Sequence, residues 1–307
     1  MKVIILGGAG FIGSHVADEL SKKGHKVTIF DMKKSKWLNK DQKMVVGDIF
    51  NYRALKNAIK NNQIVYNFAA LSDLDRAMHE PLISARINIL GTVQALNLCK
   101  KYKVKRFIHA SSIYATSSQG GFYSCSKRAA DDYVEEFNKI YNLNYTILRF
   151  GSVYGARSDQ SNGLHKIIDQ AIMRKKIIYQ GNKKTVRKYI NVLDAAKACV
   201  EILKNKYKNK CVILTGKKIT KINELLKFIA SNLKINSKIM FYDDKVNGGH
   251  YIKTPKPYKA KIGRKLLFKS KVNFYPNLSN LIKDIKKNYN RTKYLNRISK
   301  SIKIKKT

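Results

Sequence analysis

A tyrosine and a lysine stand four residues apart at Tyr123 and Lys127, in the stretch Tyr-Ser-Cys-Ser-Lys. The stretch opens a helical pattern, so the two side chains are expected to lie one turn apart on the same face. A tyrosine hydroxyl has a pKa of about 10, and it accepts a proton near neutral pH only when positive charge stabilises the phenolate. A lysine ammonium one turn away supplies such a charge. The spacing therefore predicts a tyrosine that acts as a general acid and base.

Residues 1–31 carry a second chemical signal: a strand, a glycine turn, a helix, another strand and an acid, in that order. Gly7, Gly10 and Gly13 have G-x-x-G-x-x-G spacing, which lets the backbone turn sharply and approach a pyrophosphate. The helix that begins there offers free N–H groups and a partial positive charge to phosphates. Asp31 is placed to accept hydrogen bonds from an adenosine ribose, which favours NAD over a 2′-phosphorylated cofactor. The alternative is a tight turn that binds nothing.

Strand and helix patterns alternate through residue 150, which predicts an α/β fold with a doubly wound parallel (Rossmann) sheet and helices on both faces. Ligands bind at the carboxyl ends of such strands. Later residues predict a polar loop over 152–163 and shorter elements. We divide the chain into a cofactor domain, 1–150, a smaller C-terminal substrate lobe, 151–295, and a disordered basic tail, 296–307. A helix near 191–205 is expected to pack back on the cofactor domain.

The charge of the chain is its unusual property. Lysine and arginine number 62 against 20 acidic residues, for a formal net charge of +42. One interpretation is a surface that binds nucleic acid or a membrane; the other is a compositional bias toward lysine. The chain has 50 lysines and 12 arginines, and phosphate-binding surfaces favour the planar fork of arginine. We therefore attribute the high net charge to a compositional bias toward lysine. Nucleic acid is left open as a less favoured partner.

Apolar runs and cysteine positions indicate where the protein works. No apolar run has the length of a membrane span, and no signal-peptide pattern is present, so we expect a cytoplasmic protein without a span. The histidines show no metal-ligand spacing, which predicts no metal site, and His15 and His25 are expected at the surface. The cysteines form no C-x-x-C pair and are expected to be free thiols in a reducing compartment: Cys99, Cys125, Cys199 and Cys211.

Over about residues 2–270 the chain resembles the extended short-chain dehydrogenases/reductases, the NAD-dependent epimerase/dehydratase family. The glycine spacing, the Tyr-x-x-x-Lys stretch and Asn88, which begins Asn-x-x-Gly-Thr, carry the resemblance. It implies NAD as the cofactor, whose positive nicotinamide ring would, together with Lys127, stabilise the phenolate of Tyr123. The cofactor contacts that it implies are Gly7, Gly10, Phe11, Ile12, Gly13, Asp31, Asp48, Ile49, Phe68, Ala69, Ala70, Asn88, Tyr123, Lys127 and Phe150.

The resemblance also implies a catalytic serine or threonine beside the tyrosine. Aligning Phe107-Ile108 with the family's strand places Ser112 at this position. Its hydroxyl would then hydrogen-bond the substrate oxygen and help to pass the proton to Tyr123. If Tyr114 sets the register instead, the position falls on Ala110, and the two registers stay open.

The residues after Ser112 bear on the type of reaction. In the 4,6-dehydratases of the family, the catalytic threonine is followed directly by Asp and Glu, which eliminate water. Ile113 and Tyr114 stand at these places. Their side chains carry no acid or base for elimination, which argues against a dehydratase and against decarboxylases that use the same glutamate.

Substrate contacts are implied by the same resemblance. Arg187 matches the arginine that binds the nucleotide diphosphate, a role that suits the planar guanidinium. Ser152 stands where the family usually has Asn. The full set of implied substrate residues is Ser72, Ser112, Ser152, Asn162, Arg187 and Arg264.

The resemblance therefore implies an NAD-dependent nucleotide-sugar epimerase that inverts a hydroxyl-bearing carbon, usually C4, through a transient keto-sugar. One alternative is a nucleotide-sugar dehydrogenase or reductase of the same fold. Another is a non-catalytic member of the fold that binds RNA or another polyanion. A homodimer, formed through the helices over 82–101 and 123–141, is implied by the family alone.

Overall fold

A parallel sheet forms the centre of the computed structural model, which describes residues 1–236, 239–242, 263–265 and 272–304. The strands of this sheet are β1 Lys2–Leu6, β2 Lys26–Asp31, β3 Gln42–Val46, β4 Ile64–Asn67, β5 Arg106–Ser112, β6 Tyr145–Phe150, β11 Lys210–Leu214 and β14 Gly263–Lys265. They lie in the order β14-β11-β6-β5-β4-β1-β2-β3, and every pair is parallel. The order reverses between β1 and β4, so a crevice opens there at the carboxyl ends of the strands.

Helices cover both faces of the sheet and build the lobe above its carboxyl edge. They are α1 Phe11–Lys22, α2 Tyr52–Ile59, α3 Leu74–His79, α4 Pro81–Ala85, α5 Gly91–Lys101, α6 Gly121–Tyr141, α7 Gly163–Arg174, α8 Val192–Glu201, α9 Ile222–Leu233 and α10 Phe274–Ile304. One turn of π-helix, Arg86–Leu90, joins α4 to α5, so Pro81–Lys101 is one continuous helix as the sequence predicts.

Apolar side chains bury the sheet between two layers. Val16 and Leu20 of α1 pack on one face together with Ala195 of α8, so α8 returns to the first half of the chain. Leu55 and Leu96, from α2 and α5, pack on the other face. Burial of strands on both faces explains why their sequences are continuous apolar runs rather than alternating ones.

The lobe has a core of its own, formed by α7, α9 and the first half of α10. Ile168, Leu226 and Leu278 are buried where these helices meet. The short strands that join the lobe to the crevice are β7 Ser152–Tyr154, β8 Ile178–Gln180, β9 Val186–Arg187, β10 Tyr189–Asn191, β12 Thr220–Lys221 and β13 Met240–Tyr242. They form three two-stranded pairs: β7 with β10, β9 with β12, and β8 with β13.

Several expectations need correction. The region predicted as a polar loop begins with β7, because its backbone pairs with distant β10. Helix α3 was not predicted from the sequence. Residues 296–304, expected to be disordered, continue α10; its first half is anchored by packing, and each further residue extends a helix already nucleated. Residues 305–307 lie outside the described residues.

Within the described residues, one helix is long and apolar enough to cross a membrane, Pro81–Lys101. Length and composition alone do not separate such a span from the core helix of a folded domain. Asn88, Leu96 and Cys99 of this helix are buried inside the protein.

Gly216, just after β11, shows how tightly the lobe is joined to the sheet. A Cβ at this position would lie 1.8 Å from the backbone oxygen of Tyr189. We predict that Gly216→Ala lowers the free energy of unfolding by about 1–3 kcal/mol, measured by urea unfolding. Gly163→Ala is the matched control, because no atom lies within 4 Å of its added Cβ. Equal stability of the two variants would contradict this packing.

Candidate active site

The carboxyl ends of β1, β2, β4, β5 and β6 open onto a cleft of about 920 Å³ that the lobe covers. Nearly all of the predicted cofactor residues line it, although they come from distant parts of the chain. Those that do are Gly7, Gly10, Phe11, Ile12, Gly13, Asp31, Asp48, Ile49, Phe68, Ala69, Ala70, Tyr123, Lys127 and Phe150.

The glycine turn between β1 and α1 has no room for side chains. Gly7 has φ +75°, and a Cβ on it would lie 2.5 Å from the backbone nitrogen of Ala69. A Cβ on Gly13 would lie 2.4 Å from the carbonyl oxygen of Gly7. Side chains at these two positions would collide with backbone, so the glycines let the turn, α1 and the segment after β4 pack closely and leave bare backbone at the cleft floor. The turn is therefore shaped for a ligand that approaches the backbone closely.

Charge at the glycine turn fits a dinucleotide. The first turn of α1 contains no acidic residue, so its N-terminus presents partial positive charge without a competing carboxylate. Asp31 accepts hydrogen bonds from the backbone N–H groups of Ala9, at 3.0 Å, and Lys33, at 3.2 Å. Its carboxylate braces the turn while lining the cleft. A pyrophosphate at the helix and a ribose at the acid match this arrangement.

Asn88 has a different place from the one that the resemblance implied. Its side chain is fully buried and is absent from the lining of the cleft. Its Oδ1 accepts from the N–H of Leu71 at 2.8 Å, and its Nδ2 donates to Leu71 O at 3.1 Å and to Ser126 Oγ at 2.9 Å. The amide thus ties the segment after β4 to α6. It orders the cleft wall, and a cofactor contact of Asn88 stays a prediction.

The three predicted catalytic side chains meet in the cleft. Tyr123 hydrogen-bonds to the hydroxyl of Ser112, and both line the cleft. The Nζ of Lys127 lies 5.9 Å from the centroid of the Tyr123 ring and donates to the carbonyl oxygen of Ala110 at 3.0 Å. Ala110 offers no hydroxyl. The geometry therefore favours the register that assigns Ser112.

Burial governs the protonation of this group. It raises the pKa of Tyr123 to about 12, although the hydrogen bond from Ser112 opposes the rise. Burial also lowers the pKa of Lys127 to about 8, with the charge of Asp131 opposing the fall. In the free protein, the effect of burial on the pKa of Tyr123 therefore outweighs any stabilisation of the phenolate by its neighbours. The cleft keeps the tyrosine protonated until further positive charge is bound in it.

Asp131 is a buried charged residue of the site that the sequence analysis missed. Its Oδ2 accepts from Arg149 Nε at 3.1 Å and Nη2 at 3.0 Å, and His109 Nε2 lies 3.7 Å from its Oδ1. Burial raises the pKa of Asp131 to about 6. Its position four residues after Lys127, on the same helix face, was the available signal. The carboxylate stands between two buried cations and compensates both charges.

The predicted substrate residues are mostly found together. Ser72, Ser112, Ser152, Asn162 and Arg187 line the cleft. The amide of Asn162 is already used within the protein, because Oδ1 caps α7 at His165 N and Nδ2 donates to Val153 O at 2.8 Å.

Arg264 lies in β14, paired with Val212 of β11 at the edge of the sheet. Its side chain lies outside the described part of the structure, so its predicted contact with substrate stays a prediction.

His15 is another correction. We expected it at the surface, but it is 5% exposed. Its Nε2 donates to the carbonyl oxygen of Ala156 at 2.9 Å. Ala156 belongs to the segment after β7. A contact between residues so far apart in the chain was beyond the reach of a local pattern. All four cysteines are free, as predicted, and the described residues include no cluster able to hold a metal ion.

Comparison with known proteins places this site in a family. The model of the NAD dependent epimerase/dehydratase family matches residues 3–214. A putative UDP-glucose 4-epimerase of Methanocaldococcus jannaschii is 28% identical over 261 residues, which are 78% of this chain and 85% of that protein. A dTDP-D-glucose 4,6-dehydratase of Dictyostelium discoideum is 28% identical over 240 residues, 66% of this chain and 55% of that protein.

A solved structure has the same fold. The UDP-glucuronic acid 4-epimerase of Bacillus cereus, in a mutant form with UDP-4-deoxy-4-fluoro-glucuronic acid and NAD, has a TM-score of 0.82 at 22% identity. The alignment covers 94% of this chain and 99% of that one. The chain belongs to the NAD dependent epimerase/dehydratase family, and its sheet is the Rossmann sheet that the sequence predicts. Membership of this family confirms NAD as the predicted cofactor.

The pKa of Lys127 gives a testable stability effect. Between about pH 8 and pH 10.5 the unfolded chain holds a proton that folded Lys127 has lost. The unfolded state then binds more protons, so the free energy of unfolding should rise with pH in this window. We predict that this rise is present in the wild type and missing in Lys127→Met, measured by urea unfolding at several pH values. Parallel pH profiles of the two proteins would contradict the lowered pKa.

Proposed function

We propose that this protein is a nucleotide-sugar epimerase that inverts the C4 hydroxyl centre of its substrate by transient oxidation to a keto-sugar. The observation that carries the proposal is the group of Tyr123, Ser112 and Lys127 at the wall of the cleft whose floor is the glycine turn. This arrangement puts one proton-transfer residue beside a site shaped for a dinucleotide. The related 4-epimerases support the same reaction.

In this mechanism, Tyr123 removes the proton from the sugar hydroxyl and later returns it. Ser112 holds the sugar oxygen and the phenol in one hydrogen-bonded line, so the proton has a short path. Lys127, fixed by Ala110 O, supplies positive charge to the phenolate that forms. Each of these tasks needs the group to stay out of bulk water, and Tyr123 is only 8% exposed.

The cofactor would be held by the glycine turn, by Asp31 at the ribose, and by the walls at Ile49, Ala69 and Phe150. When bound, NAD supplies the acceptor and donor of hydride and a positive charge near the phenol. Small residues after β4, Ala69 and Ala70, leave the backbone open to close approach. This segment would thus let the cofactor lie close to the backbone.

Other cleft residues suit the substrate. The Arg187 side chain is buried at the cleft, and its planar guanidinium can donate two parallel hydrogen bonds to the diphosphate of a sugar nucleotide. Ser72 and Ser152 offer hydroxyl groups for the sugar. We keep all three as proposed substrate contacts, with Arg264 as a further candidate.

Elimination of water has no support at the expected positions. Ile113 and Tyr114 follow Ser112 in a helical turn and are 5% and 7% exposed. The Tyr114 ring packs edge-on against Tyr123, with centroids 6.2 Å apart. Packing residues thus occupy the places of the acid pair, and this favours epimerisation over dehydration or decarboxylation.

We predict that Tyr123→Phe lowers kcat for conversion of UDP-glucose to UDP-galactose by about 10²–10⁴-fold, because the proton acceptor is lost. The products are measured by chromatography of the sugar nucleotides. Tyr52→Phe, at an exposed tyrosine on α2, is the matched control and should keep wild-type activity.

The same assay separates the alternatives. An epimerase turns over sugar nucleotide without net change in NADH absorbance, whereas steady production or loss of NADH would identify a dehydrogenase or reductase. Release of water and a 6-deoxy product would identify a dehydratase. RNA binding that persists in Tyr123→Phe, with no turnover of any sugar nucleotide, would favour the polyanion-binding alternative.

We also propose a homodimer, formed through the continuous helix Pro81–Lys101 and α6. Large apolar side chains are exposed on these two helices, which pack side by side, and a monomer in solution would leave them in water. They include Leu82 at 83%, Leu90 at 58%, Phe122 at 48% and Ile140 at 64% exposure.

For this dimer we predict that Leu82→Asp shifts the protein to monomer, because a two-fold interface receives the charge twice. Light scattering after size-exclusion chromatography at micromolar concentration measures the change. Ile219→Asp, at a 58% exposed site away from both helices, should stay dimeric. A monomeric wild type would contradict the interface.

A further inference from the structure

Residues 155–162 connect β7 to α7. The last residues of this connection line the cleft, whereas its first residues contact parts of the fold outside the cleft. Asp159, Ser161 and Asn162 line the cleft. Ala156 and Arg157, at the start of the connection, instead contact α1 and the chain between β2 and β3. The shape of the cleft wall therefore depends on contacts made outside the cleft. We call residues 155–162 the β7–α7 loop.

Arg157 makes the strongest of these contacts. Its Nη2 donates to Asp18 Oδ2 at 2.7 Å, and both side chains are 19% exposed. The guanidinium carbon also lies 4.8 Å from the ring centroid of Trp37, the single tryptophan of the chain. A partly buried ion pair with a planar stacking partner fixes both the position and the direction of an arginine. The loop is thus held at one defined place on α1.

Asp18 joins this contact to the cofactor side of the fold. Its Oδ1 accepts from Asn39 Nδ2 at 3.3 Å and from Gln42 Nε2 at 3.1 Å, which orders the chain that follows Asp31. His15, one turn earlier on α1, donates to Ala156 O. Helix α1 begins at the glycine turn. One helix therefore carries the dinucleotide site at its N-terminus and the anchor of the β7–α7 loop on its side.

The backbone at Arg157 adopts an uncommon conformation. Its φ is +65°, in the left-handed region that is uncommon for residues other than glycine. The N–H of Ser158 donates to Gly155 O at 3.4 Å across this residue, and the Arg157 side chain is held by its partners, Asp18 and Trp37. Removing those partners would let the backbone leave this region.

We propose that Arg157 is a positioning residue, which clamps the β7–α7 loop to Asp18 and Trp37 and thereby holds the substrate side of the cleft in its binding shape. The substrate part of this inference rests on the proposed epimerase function. The clamp itself does not, because it is a property of the free protein. Arg157 touches neither the cleft nor the reacting group, so its loss should weaken substrate binding more than it slows the chemistry.

The test compares Arg157→Ala, Arg157→Gly and Arg157→Lys with the wild type, using UDP-glucose as the probe. Glycine accepts the left-handed backbone, so Arg157→Gly removes the clamp without adding backbone strain. Lysine keeps the charge at Asp18 but loses the planar fork. We expect KM to rise about tenfold in the Ala and Gly variants and less in the Lys variant, with kcat within about twofold. Arg53→Ala, at an exposed arginine on α2, should match the wild type.

A second measurement needs no substrate. Hydrogen exchange of the backbone amides of residues 155–163 should become at least about fivefold faster in Arg157→Ala and Arg157→Gly, while β1 and β5 exchange as in the wild type. Acrylamide should also quench Trp37 fluorescence more strongly, because the covering guanidinium is gone. Asp18→Asn, which keeps the size of the side chain, should reproduce the faster exchange.

The outcomes separate the clamp from the proposed function. Faster loop exchange with a raised KM supports the whole inference. Faster loop exchange in a protein that never converts or binds UDP-glucose keeps the clamp and rejects the function. Unchanged loop exchange overturns the clamp, as does faster exchange spread evenly over the sheet. A fall in kcat with unchanged KM overturns the positioning role.

Discussion

A phenol buried at the end of a parallel sheet keeps its proton unless positive charge is brought beside it, and this constraint organises the site. Tyr123 is 8% exposed, and burial raises its pKa to about 12. Lys127 is buried too, and burial lowers its pKa to about 8. Its charged form is therefore less favourable near neutral pH than that of an exposed lysine. The role of base that we propose for Tyr123 therefore requires a cationic ligand beside the phenol.

The fold satisfies this constraint with few parts. The glycine turn and α1 create a place for a dinucleotide next to the phenol, and Asn88 fixes the segment after β4 against α6. The carboxylate of Asp131 pairs with the guanidinium of Arg149, and its negative charge also favours the charged form of buried Lys127. Helix α1 serves both parts of the cleft, because it begins at the glycine turn and its side anchors the β7–α7 loop.

Local sequence patterns were sufficient to predict much of the fold and part of the candidate site. The glycine turn, β1 through β6 and the Tyr123–Lys127 pair follow from periodicity and short spacing, which depend on neighbours in the chain. The β7–β10 pair and the burial of His15 depend on partners far away in sequence, so no local pattern shows them. Asn88 has the sequence of a cofactor motif but serves the wall of the cleft. The burial that raises the pKa of Tyr123 in the free protein also comes from the tertiary fold, which a spacing of four residues does not show.

We infer that positive charge bound in the cleft makes Tyr123 acidic. Nuclear magnetic resonance of protein labelled with carbon-13 at the tyrosine ζ position measures this directly, with Tyr123→Phe assigning the signal. Titration of the free protein should give a pKa of about 12, and titration with NAD⁺ should give a value below the ordinary one of about 10. The same pKa with and without NAD⁺ would contradict the account.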